Sequence, residues 1–80
     1  MNEASVRPRL LECFRTVFPH VTDENLTTYS AETVSSWDSV TQVTLISVVE
    51  EDFGIIVPEE RYGQVTSFAS LLVFLQEDLA

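Results

Sequence analysis

Apolar residues fall into four stretches along the 80-residue chain, and the period of each stretch limits what it can become. From Val6 to Phe18 the positions Val6, Leu10, Cys13, Phe14 and Val17 recur three or four residues apart, with Arg9, Glu12, Arg15 and Thr16 opposite. Only a 3.6-residue turn gathers such positions on one face, so the pattern predicts an amphipathic helix over about residues 5–18. Pro8 then falls in the first turn, where its missing N–H is tolerated, and Pro19 ends the helix by pushing Phe18 away from helical angles.

Between Pro19 and Trp37 neither period is sustained, yet Val21, Leu26, Tyr29, Val34 and Trp37 occur at wide intervals. This predicts a long connector laid against the core, with a short helical turn at "TDEN" (22–25). A second helix follows over residues 39–53. Asp38 stands at its N-cap, where a carboxylate accepts from first-turn N–H groups and meets the positive end of the helix dipole. Leu45, Ile46, Val49 and Phe53 share one face, and Gly54 suits a left-handed C-terminal position. "IIVP" reads as an extended link, because the chain has no second β-rich run with which a strand could pair. "PEERYGQ" predicts a short helix over 59–64, with Pro58 before it and acids in its first turn. Thr66 or Ser67 then caps a last helix over 67–79, whose stripe is Phe68, Leu71, Leu72, Leu75 and Leu79.

Three long helices, one short helix and a long first loop predict an all-α fold, a four-helix bundle in which each apolar stripe is buried only against the others. Residues 1–80 read as one domain, large enough to bury about 60 to 65 per cent of the unfolded chain's surface. The single cysteine, Cys13, lies on an apolar stripe; it cannot form an internal disulfide and reads as a small buried hydrophobe, which fits a reducing cytoplasm. No Cys/His cluster has metal-ligand spacing. No apolar run reaches membrane-spanning length, and "MNEASVRPRL" lacks the apolar segment of a signal peptide.

Charge narrows the partners. There is no lysine, and beyond residue 15 Arg61 stands alone against eleven acids, within a net charge of -9. Such a body repels nucleic acid and anionic lipid and attracts basic protein surfaces.

Ser39 opens the second helix, and its possible roles differ sharply. A serine nucleophile needs a positioned base and an oxyanion hole, but the only histidine is His20, in the connector, so catalysis is not expected. Glu50, Glu51 and Asp52 are consecutive and fan around a helix instead of converging on a metal. Val40 and Val43 lie outside the core stripe, beside Thr44, Ser47, Glu50 and Glu51. Two readings of these valines stay open: the connector or the short helix covers them, or they form an apolar docking patch ringed by acid.

"DSV" at 38–40 followed by "VEEDFGIIVPEE" at 49–60 resembles the acyl carrier proteins, including the peptidyl carriers. In that family a D-S-L tripeptide opens the second helix of a four-helix bundle, an E-E-x-F segment closes it, and a short link with proline and acids follows. The resemblance runs from about Leu10 to Leu79. It implies that Ser39 receives 4'-phosphopantetheine from coenzyme A through a phosphopantetheinyl transferase, with Asp38 as the acid before it. The arm would hold an acyl or aminoacyl group as a thioester, and enzymes that load, modify and transfer it would dock their basic surfaces on Val40, Val43, Glu50 and Glu51. The chain would then be a monomeric cytoplasmic carrier and not an enzyme. Three departures from the fatty-acid carriers point to a specialised pathway, such as polyketide, nonribosomal peptide or surface-modification chemistry. Val40 replaces the usual leucine, Thr44 an acid, and Trp37 a small residue. The alternative is a carrier-like interaction module that never takes the arm.

Overall fold

A computed structural model describes residues 3–78 of the chain. Its elements, in order, are helix α1 (Glu3–Val17), the 3-10 turn η1 (Leu26–Thr28), helix α2 (Ser39–Phe53), the 3-10 helix η2 (Glu59–Gln64) and helix α3 (Phe68–Asp78). Among the described residues the only β pairing is an isolated antiparallel bridge between Ser30 and Ser67. The architecture is therefore an all-α bundle, with α2 and η2 on the bounds that the hydrophobic pattern predicts.

Local chemistry explains both ends of α2 and the start of α3. Asp38 caps α2, its carboxylate accepting from the Thr41 N–H at 2.9 Å. Gly54 ends α2 at φ 66° and ψ 38°, in the left-handed region that a side chain disfavours, and its N–H returns to the Glu50 carbonyl. Ser67, not Thr66, opens α3: its hydroxyl accepts from the Ser70 N–H while the Ser70 hydroxyl accepts from the Ser67 N–H.

Three features differ from the sequence pattern. Helix α1 begins at Glu3 and not near residue 5, so Pro8 lies inside the helix and past its first turn. Its missing N–H removes one bond of the ladder, a loss offset by the buried face of α1. The short helix at 59–64 is 3-10, with no fully buried side chain to hold a wider turn. In the connector the 23–25 turn leads into η1 and seats Leu26 in the core. Leu79, expected on the stripe of α3, lies outside the described residues.

One core joins the helices. Val6, Leu10, Cys13 and Phe14 of α1 cluster with Leu45, Ile46, Val49 and Phe53 of α2 and with Phe68, Leu71, Leu72, Phe74 and Leu75 of α3. Each such large side chain, once removed from water, contributes about 1.5 to 3 kcal/mol. The connector adds Phe18, Val21, Leu26 and Trp37. Trp37 meets Phe14 edge-on at 5.6 Å and Phe18 at 5.2 Å between ring centroids, and Phe18 meets Tyr29 at 5.5 Å. This aromatic group fixes the end of the connector from which α2 springs.

Candidate functional site at the start of the second helix

Ser39 is the first residue of α2, and its side chain is exposed. The capping bond made by Asp38 explains this. It holds the chain extended at residue 38 (φ -97°, ψ -173°) and starts the helix at residue 39. Meanwhile buried Trp37 anchors the preceding backbone. The same bond from the Thr41 N–H holds the Asp38 carboxyl below its ordinary pKa, so it is ionised at neutral pH. The first-turn hydroxyl therefore stands on a rigid edge, beside a fixed negative charge and at the positive end of the helix dipole.

A cavity of about 360 Å³ opens beside Ser39, walled by Trp37, Gln42 and Val43 on one side and by Tyr62, Gly63 and Thr66 on the other. Its lining is mostly apolar, which suits an uncharged chain better than a free ion.

The valines are not covered. Val40 is 73 % exposed and Val43 51 %, so neither the connector nor η2 shields them, and Ile56 on the following link is 78 % exposed. Thr44 and Ser47, each four residues further along the helix, fold their hydroxyls back onto the carbonyls of Val40 and Val43. Hydroxyls bonded this way present less polar surface outward, so this face of α2 is more apolar than its sequence suggests.

The two acids behave differently. Glu51 is exposed, whereas Glu50 is half-buried and one of its carboxylate oxygens accepts from the Val57 N–H at 2.8 Å. That bond braces the 54–57 link against the end of α2. Glu50 thus has a structural duty besides any attraction it exerts on a partner.

The sequence pattern did not single out Gln42, which is buried with 9 % exposure. Its carbonyl accepts from the Trp37 indole N–H, and its amide donates to the carbonyls of Tyr62 (2.9 Å) and Val65 (3.1 Å). The signal was available: Gln42 lies three and four residues before Leu45 and Ile46, on the buried face, and a polar residue in that register needs partners.

Other candidates do not assemble into a site. His20 is exposed, and among the described residues no side-chain hydrogen bond joins it to Ser39. Cys13 is buried, and its surroundings push the thiol up to about 11, burial first and the Asp52 charge second, so at neutral pH it remains a protonated hydrophobe. Among the described residues no three His, Cys, Asp or Glu side chains form a metal-binding group, and no helix is long and apolar enough to cross a membrane.

Comparison with known proteins gives no match: no family model, no curated protein and no solved structure is similar to the chain.

Proposed function

We propose that the chain is a carrier protein of acyl-carrier type, which holds an acyl or aminoacyl group on 4'-phosphopantetheine attached to Ser39 and presents it to partner enzymes. The observation that carries this reading is the exposed Ser39 hydroxyl in the first turn of a capped helix, at the rim of a mostly apolar cavity. The residues fit the group. A phosphodiester at residue 39 would meet the helix N-terminus, and an exposed hydroxyl on a rigid edge is accessible to a modifying enzyme. When attached, the arm supplies a terminal thiol that holds the cargo as a thioester.

The chain's own residues supply position and recognition. Asp38 holds the backbone so that Ser39 points outward; Val40 and Val43 present an apolar patch, and Glu51 with the remaining acids draws a basic partner surface toward it. The cargo belongs to a specialised pathway of polyketide, nonribosomal peptide or surface-modification type, on the three departures at Trp37, Val40 and Thr44.

Incubation with coenzyme A and a promiscuous phosphopantetheinyl transferase tests the reading by intact mass. Wild type gains the mass of one arm, and Ser39→Ala gains none. A wild-type chain that stays unmodified across several transferases overturns the reading in favour of an interaction module that works without the arm.

A further inference from the structure

The wall of the cavity facing Ser39 includes η2, a helix with no buried residue and with Gly63 near its end. Its attachments to the body are the half-buried Tyr62 side chain packed against the core, the Arg61 guanidinium over the Phe74 ring at 5.0 Å, and the bonds that Gln42 donates to the carbonyls of Tyr62 and Val65. The buried Gln42 amide is thus the polar tie between α2 and η2, and the Trp37 indole holds it in that orientation.

We propose that Gln42 is a latch that keeps η2 shut against α2, closing the cavity beside Ser39 off from the core and making Gln42 a cargo-specificity residue. This deepens the carrier reading and rests on it. An acyl chain that folds back into the cavity beside Ser39 must, to go further toward Leu45 and Ile46, displace an amide that makes three hydrogen bonds. A long alkyl chain has no polar atoms to replace them, so the displacement leaves the indole N–H and two carbonyls without partners. The cargo class this favours is short acyl groups that stay in the cleft, and long alkyl chains are left in solvent.

The latch is tested first on the unmodified protein, so that its outcome does not depend on the arm. Gln42→Leu removes all three bonds while keeping a side chain of similar bulk. The Arg61 and Val65 amides and the Trp37 indole N–H should then exchange with solvent at least tenfold faster, with the amides of α1 and α3 unchanged. Gln42→Glu supplies a readout that simple loss of packing would not. Its ionised carboxylate turns oxygens toward the Tyr62 and Val65 carbonyls, whereas the protonated acid can donate to one of them. η2 should therefore open at pH 7 and partly reclose at pH 5, relative to wild type at the same pH. The charged groups on the two elements flanking the latch, Asp38 at the N-cap of α2, Glu50, Glu51 and Asp52 in its last turns, and Glu59, Glu60 and Arg61 on η2, are common to both proteins. Unchanged exchange in η2, or unfolding of the whole bundle in both variants, overturns the latch.

The cargo claim is then read on arm-bearing protein loaded with acetyl or octanoyl groups. In wild type the Ile46 methyl resonances should be the same for both, and in Gln42→Leu only the octanoyl form should shift them. An octanoyl chain that reaches Ile46 in wild type overturns the specificity role. Failure to attach the arm at all defeats the carrier reading and leaves the exchange result to decide the latch.

Discussion

Two irregular segments flank α2, and they are held in opposite ways. The connector at residues 18–38 is the longer, contains no glycine, and sends Phe18, Val21, Leu26 and Trp37 into the core. Reciprocal bonds between Thr22 and Asn25 and between Ser30 and Thr33 fold it, and the Ala31 N–H bonds to the Thr66 carbonyl. The segment at residues 54–67 is shorter, contains both glycines of the chain, and buries only Val57 and Val65. Burial and satisfied backbone groups, more than length or share of helix, set how firmly a segment is held, so the connector is expected to be the firmer of the two. For the site this means that Ser39 is mounted on the firm side and faces the loose one.

The largest test of this contrast is Trp37→Ala. It removes two ring contacts and one of the three partners of Gln42, and should cost about 3 to 5 kcal/mol in urea denaturation. A loss under about 1 kcal/mol would mean that the connector is not held by this ring.

Next in size is Gly54→Ala. Nothing lies within 4 Å of an added Cβ, so the cost is the left-handed backbone alone, about 1 to 2 kcal/mol by the same measurement.

Asp38→Ala tests the firm side at its last residue, and it should lower the melting temperature at pH 7. Because the folded-state pKa of Asp38 is depressed, its contribution is present above the unfolded pKa and disappears as pH falls through the folded one. The gap between wild type and variant should thus close in acid. A gap constant from pH 7 down through the carboxylate range would contradict the capping role.

The smallest expected change has the opposite sign. Gly63 has no left-handed φ and open space around it, so Gly63→Ala should stabilise the protein by about 0.4 to 1 kcal/mol by restricting the unfolded chain. A destabilised variant would show that η2 needs its glycine, and that the loose segment is more constrained than its burial implies.

Much of the fold is legible in the order of residues. The stripe Leu45, Ile46, Val49 and Phe53 is buried as its period predicts, and the Asp38 cap and the Gly54 stop lie where their chemistry places them. Less legible was the breadth of a stripe: Phe74 is buried alongside Phe68, Leu71, Leu72 and Leu75, which widens the apolar face of α3 beyond the positions first assigned to it. The beginning of α1 was also obscured, because proline suggests a first turn and the buried face of the helix outweighs that local preference.

By itself, the sequence determined where the helices lie apart from the start of α1, the Asp38 and Gly54 ends of α2, the main inward stripes and the placement of Ser39 at the head of α2. These are short-range properties, set by side-chain period and by bonds between residues a few positions apart. Only the tertiary structure decided that Val40 and Val43 stay uncovered, that Glu50 bends to the Val57 N–H, and that Gln42 ties α2 to η2 beside a cavity. A period reports which side of a helix a residue occupies. What crosses that side depends on the path of segments far away in the chain, and that path is set by the packing of all the helices together.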